Sequence, residues 1–200
     1  MSPWARVIMR LRARPAPAFL VALWLSLRWR CLVSPSAKVR FPGAVRLGPG
    51  VRLRDCTVIA QGRGVDLAAG VELQDGVILD TQGGGISIGK GTAIGPYTIV
   101  YGYAGVSIGD ECSIAGHSMI VSSSHVTDRV DIPIRRQGAR GAAISIGDDV
   151  WIGAQCVVIA GASIAAGAVI GANSVVRGEI PAFAVAAGTP ATVRRVRSGA

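Results

Sequence analysis

From Ile146 onward every sixth residue is aliphatic: Ile146, Ile152, Val158, Ile164, Ile170 and Val176. An amphipathic helix repeats every 3.6 residues and a half-buried strand every second residue, so neither produces this spacing. Two positions before each later aliphatic stands Val150, Cys156, Ala162, Ala168 or Ser174, and glycine follows the aliphatic at 147, 153 and 171. Aliphatic side chains pointing into a narrow prism, compact neighbours beside them and turn residues that tolerate unusual dihedrals are what a coil of six-residue repeats requires.

The same phrase returns upstream in shifted frames: Leu47, Leu53, Ile59; then Leu67, Leu73, Leu79; then Ile88, Ile94, Val100; then Ile108, Ile114, Ile120. Three hexads make one coil, and the starts at 47, 67, 88 and 108 lie 20 or 21 residues apart, so small insertions fall at corners. The pattern predicts an all-β fold, a left-handed parallel β-helix over residues 38–190, in which each coil gains a core only when its neighbour stacks on it. One substantial break interrupts it. Residues 122–143 turn polar and carry His125, Asp128, Arg129, Asp131, Pro133, Arg135, Arg136 and Arg140. A stiff solenoid places function in loops that leave a corner, so the site is expected there.

Residues 1–37 precede the repeat as an arm. Arg6, Arg10, Arg12 and Arg14 are followed, after Pro15 and Pro17, by an apolar run over 18–27 broken only by Ser26. This resembles the first two regions of a signal peptide, but Arg28, Trp29 and Arg30 stand where small residues of a cleavage site belong. Ten residues also fall short of the roughly 20 that span a bilayer. Two readings stay open. Residues 1–33 make peripheral contact with an anionic membrane through a short helix with Trp24 and Trp29 among arginines, or that helix closes the open end of the first coil.

Charge sharpens this division. Of the 21 Lys and Arg residues, 11 lie in residues 1–54, which hold no acid, whereas residues 55–200 hold 10 basic and 12 acidic residues. The arm is basic and the repeat nearly neutral, which points to an anionic surface met by the arm. The near-neutral repeat, with 5% aromatic residues, argues against nucleic acid as partner. Residues 191–200 form a basic C-terminal tail. Cys31, Cys56, Cys112 and Cys156 show no C-x-x-C spacing and read as free thiols in a reducing compartment, hence the cytoplasm or the cytoplasmic face of the inner membrane.

With its hexads, Ser124-His125 followed by Ile132-Pro133-Ile134-Arg135, the segment Asp149-Val150-Trp151-Ile152-Gly153-Ala154, and Ala186-Ala187-Gly188-Thr189-Pro190, the chain resembles the hexapeptide-repeat acyltransferases. The likeness is to their sugar O-acetyltransferase branch, which includes galactoside, maltose and surface-polysaccharide enzymes. It covers residues 86–197 through motifs and 38–85 through the repeat alone. The resemblance implies an acetyl-CoA-dependent transfer to a hydroxyl of a sugar or glycan precursor, in a homotrimer whose sites lie between chains. His125, 17 residues after Ile108 as in the galactoside enzymes, is then the general base, for imidazole suits proton removal near neutral pH. Asp128 is a second acceptor contact, and His117 is either a lining of the acceptor pocket beneath His125 or a packed corner residue. Backbone groups at Ala154 and Ala172 would meet the pantetheine arm, and Arg177, Arg194 and Arg195 the coenzyme phosphates. No metal is expected: a γ-type carbonic anhydrase needs three histidine ligands, and the chain has two histidines. A non-catalytic trimeric scaffold is the alternative to an enzyme. The chain lacks a domain like that preceding the solenoid in the maltose and galactoside enzymes, which leaves the acceptor open.

Overall fold

The structure, a computed structural model, describes residues 17–198. Arg6, Arg10, Arg12 and Arg14 lie outside the described residues. The chain winds into a three-sided parallel β-helix whose sides are sheets of nine, seven and seven strands, with a separate two-stranded ribbon. The strands of the coils, two to five residues long, alternate with tight corners and pair in parallel with the strand one coil on: Arg52 with Glu72, Glu72 with Ala93, Ala93 with Ser113. From Ser113 the next partner is Trp151, 38 residues later, because residues 122–143 leave the coil.

The hexad aliphatics fill the prism. Leu67, Leu73, Ile94, Ile120, Ile152 and Val176 are fully buried, as are Cys156, Ala168 and Ser174 two positions before. One expected core position is displaced. Val58, not Ile59, points inward, since the corner after Leu53 is one residue shorter than the corner after Leu73, and Ile59 sits on the outer surface. Where the smaller inner position is a hydroxyl it clamps successive coils. Thr92 Oγ1 donates to the Gly109 carbonyl (2.7 Å) and accepts from the Cys112 N–H (3.0 Å), and Ser118 Oγ does the same with Gly153 (3.3 Å) and Cys156 (3.2 Å). A buried hydroxyl is tolerated here because both its donor and its acceptor are satisfied.

The outer surfaces of the sides differ. On the third side the outward residues are Arg46, Asp66, Ser87, Ser107, Ser145 and Ser163. On the second side they include Ile78, Ile99, Met119, Val121, Val157 and Ile159, all half-buried. From Ile99 onward the second side is thus largely apolar both inside and out, while nearer the first coil its outward positions include Lys38, Arg40, Thr57 and Asp80.

Helix α1, Ala18–Trp29, lies across the open end of the first coil. Ala22 and Leu25 are buried, and Leu25 joins the prism core. At the other end Ala191–Val196, expected as a loose tail, is a strand antiparallel to Ala184–Gly188. Arg197 ties the chain end to the third/first corner through Asp149 (3.3 Å) and the Gly167 carbonyl (2.7 Å).

All four cysteines are buried free thiols. Burial, with Asp55 adding a smaller repulsion, pushes the Cys56 thiol up from 9.0 to about 12. Above pH 9 the unfolded chain therefore ionises this thiol while the folded chain holds its proton, so stability is present below that pH and falls as pH climbs towards 12. Urea unfolding is expected to show a lower midpoint at about pH 10 than at about pH 8, and Cys56→Ala should reduce that difference, the rest coming from Cys31, Cys112 and Cys156, whose thiols burial also raises.

Candidate functional site

The coil opens after Val121. Ser122 is fully buried, donates to the Tyr101 carbonyl (3.1 Å) and accepts from the Ala104 N–H (3.0 Å), fixing where the chain leaves the second/third corner. Strand Ser123–His125 then pairs antiparallel with Ala139–Gly141, so the loop is a ribbon with a knotted tip and not a floppy excursion. A side chain at 141 would lie 2.7 Å from the Ala104 Cβ and 2.8 Å from the Tyr103 ring, which explains glycine where the ribbon rejoins the prism. At the tip Gln137 accepts from the Arg129 N–H (3.0 Å) and donates to the carbonyls of Arg129 (2.7 Å) and Ile132 (3.0 Å). Arg129 also holds Asp131, whose carboxyl is drawn below its ordinary value by that hydrogen bond. Ser122→Ala would leave the half-buried Ala104 N–H unpaired. It is expected to cost about 1–2 kcal/mol in urea unfolding and to loosen the ribbon, read as faster amide exchange at residues 123–125.

His125 ends the first ribbon strand, exposed and without a side-chain hydrogen bond among the described residues. Asp128, three residues on, is paired with Arg140 of the returning strand. The ribbon thus brings His125 and Asp128 together on one corner. Arg177, which follows Val175–Val176, stands on that same second/third corner, exposed and without an ion-pair partner among the described residues.

His117 does not lie beneath His125. It sits at the first/second corner with φ of 59°, its ring stacked on that of Tyr97 at 5.2 Å between centroids, and the Tyr97 ring covers Gly76 in turn. Strand Met119–Val121 runs between the two histidines, and five extended residues span roughly 15 Å. Ala154 and Ala172 are on the corner of His117, each just before a residue in the left-handed region, Gln155 and Asn173. Both alanines are exposed, and their N–H groups make no hydrogen bond among the described residues. Such unpaired N–H groups suit the amide carbonyls of a pantetheine arm. Arg194 and Arg195 are on the last strand, at the edge of the first side, with Arg194 donating to the Ala187 carbonyl (3.3 Å). Within one chain His125 and the two unpaired amides therefore lie at opposite edges of the second side.

A groove of about 320 Å³ opens on the third side at the ribbon's base, lined by Arg63, Gly85, Ser87, Ala104, Ser107 and Ala143. Arg63 reaches across it to the Ala104 carbonyl (3.2 Å). Sequence reasoning passed over Arg63, which sits between two glycines in a corner segment and belongs to no hexad signal. No cluster of His, Cys, Asp or Glu suited to a metal occurs among the described residues.

Residues 143–178 match the family of the bacterial transferase hexapeptide (six repeats), and residues 85–116 match the hexapeptide repeat of succinyl-transferase. A probable acetyltransferase of Mycobacterium tuberculosis is 32% identical over 90% of the chain and 58% of its own length. A putative lipopolysaccharide biosynthesis O-acetyl transferase of Escherichia coli is 33% identical over 59% of the chain and 64% of its own length. The chain thus spans about 60% of each of these relatives. Among solved structures, a point mutant of the N-acyltransferase AntD of Bacillus cereus, in complex with dTDP-4-amino-4,6-dideoxyglucose and coenzyme A, superposes with a TM-score of 0.65 over 88% of this chain and 89% of that one, at 20% identity. The fold is the left-handed β-helix that the repeat predicts.

Proposed function

We propose, from the premise that the chain belongs to the proteins built on the bacterial transferase hexapeptide repeat, that it is an acyltransferase carrying acetyl from acetyl-CoA to a hydroxyl of a sugar or glycan precursor of bacterial surface polysaccharide. The observation that carries this reading is the apolar second side, bounded by the His125 ribbon at one edge and the free amides of Ala154 and Ala172 at the other. Three copies that turn this side towards a shared threefold axis bury it, and each ribbon then meets the neighbour's amide corner. The homotrimer completes a site that one chain divides. The coenzyme A and sugar nucleotide bound to AntD, and the names of the two acetyltransferase relatives, support the donor and acceptor classes. Residues 1–33 hold the protein at the cytoplasmic face of the inner membrane.

In this arrangement His125 takes the proton from the acceptor hydroxyl as its oxygen attacks the thioester carbonyl. Bound acetyl-CoA supplies an already activated acyl group, so no side-chain nucleophile is needed. A backbone N–H receives the charge that develops on the carbonyl oxygen, after which the C–S bond breaks and the thiolate leaves. Asp128 holds the acceptor beside His125. His117, on the neighbour's corner, faces the same acceptor from across the interface, while Arg177, Arg194 and Arg195 present planar donor forks to the coenzyme phosphates.

The test is release of free coenzyme A thiol when the protein is incubated with acetyl-CoA and a panel of sugars, sugar nucleotides and oligosaccharides. The expected result is release that requires one acceptor class and yields an O-acetyl ester. Absence of release with every acceptor tried, from acetyl-CoA and from longer acyl-CoA donors, together with no saturable donor binding, would move the chain to a non-catalytic scaffold.

A further inference from the structure

Apart from Ser26 and Arg28, helix α1 is built of apolar residues on both its faces, and the prism uses only one of them. Ala22 and Leu25 are buried against the first coil, with Val21 and Trp29 packed at the margin. Leu20, Leu23, Trp24 and Leu27, spaced i, i+3, i+4 and i+7, form the opposite face and are exposed, Leu27 to 75%. A helix that is hydrophobic all round belongs inside something, and here the second covering is not supplied by the described residues. The first coil and the helix also carry four cations without an ion-pair partner among the described residues. Arg46, Arg52 and Arg54 of the second coil pair with Asp66, Glu72 and Asp75 of the third, whereas Arg28, Arg30, Lys38 and Arg40 form no ion pair among the described residues. Arg28 lies over the rings of both Trp24 (5.6 Å) and Trp29 (5.2 Å).

An outward apolar stripe rimmed by unpaired cations and tryptophan is chemically matched to the interface of an anionic bilayer, with leucines below the headgroups and arginines among the phosphates. No helix among the described residues is long and apolar enough to cross a membrane, and twelve residues, about 18 Å, suit one lying in its plane. We infer that α1 is a two-sided element, plugging the first coil with Leu25 and inserting Leu20, Leu23, Trp24 and Leu27 into an anionic lipid surface. The inference rests on the membrane contact of residues 1–33 in the reading above and is independent of acetyl transfer. In a threefold trimer with parallel chains all three helices share one end, so three weak contacts act together. Four coil steps then separate the first coil from the His125 coil, placing the ribbon roughly 19 Å along the axis from that end.

The full-length protein is sedimented with vesicles of phosphatidylcholine alone and with 30 mol% phosphatidylglycerol, beside L23E/L27E, whose changed side chains face away from the prism. Wild type is expected to bind the anionic vesicles, with Trp24 fluorescence quenched by brominated acyl chains and the quench lost in Trp24→Phe. The double variant is expected to bind at least tenfold more weakly, with unchanged circular dichroism. Equal binding of both proteins would overturn insertion in favour of purely electrostatic attraction through the arm. No binding by wild type would overturn it outright, and if L23E/L27E then halves the particle mass in solution, the stripe belongs to a second copy packed end to end. Neither negative result touches coenzyme A release in the acceptor screen, so the two readings fail separately.

Discussion

His125→Ala is expected to lower the rate of acetyl transfer by about 10²–10⁴-fold while leaving the fold untouched. Imidazole is the group on the ribbon able to accept a proton near neutral pH, and its loss removes a general base without removing a packing contact, for the side chain is exposed and makes no hydrogen bond among the described residues. The effect should fall on kcat, with donor binding within about twofold of wild type, because the amides at Ala154 and Ala172 stand on the other corner. His117→Ala separates the two histidines. It should raise the KM for the acceptor and spare most of kcat if His117 only faces the acceptor across the interface. A loss of kcat equal to that of His125→Ala would instead make His117 the base.

The second large effect is expected from Ile99→Asp, on the outward surface of the second side. A carboxylate buried in the middle of an apolar interface costs several kcal/mol unless it is paired, and the facing outward residues are Ile78 and Met119, which offer no partner. The variant should run as a monomer in light scattering, keep its β-sheet circular dichroism, and lose activity at least a hundredfold, since each site then has its base or its amides but not both. Ser107→Asp, on the polar third side, is the control and should remain a trimer. A monomeric Ile99→Asp with full activity would show that one chain holds a complete site.

Much of this architecture is written in the sequence because the hexad is a local code: one aliphatic per side, a compact residue two before it, a turn at each corner. The reading slipped at Ile59, where deletion of one corner residue shifts the frame and two adjacent aliphatics, Val58 and Ile59, leave the inward one undecided by pattern alone. It also passed over the second side. Ile78, Ile99, Met119 and Val157 alternate with inward aliphatics, so their outward direction emerges only once the strands are paired in register. The loop was visible as a run of polar residues, but not its ribbon pairing, which depends on Ser122 hydrogen bonds to a coil about 20 residues earlier. Of the two readings of His117 the structure has the corner one, stacked on Tyr97, because eight residues along a β-helix carry the chain across a whole side. The arm left two readings open, and α1 is built for closing the first coil with one face while the other remains uncovered.

The measurement that tests the central claim most directly is calorimetric titration of the purified protein with acetyl-CoA, beside Ala172→Pro. Pro96 stands at the equivalent corner position, where the following coil has Gly116 as it has Gly188 above Ala172, so proline at 172 is expected to fit while removing an N–H that has no partner among the described residues. The account predicts saturable binding at about one site per chain, weakened about tenfold, or 1.4 kcal/mol, in Ala172→Pro. Absence of binding up to about 1 mM acetyl-CoA, a free energy of only about 4 kcal/mol, would contradict it, and undiminished binding by Ala172→Pro would remove that amide corner from the donor site.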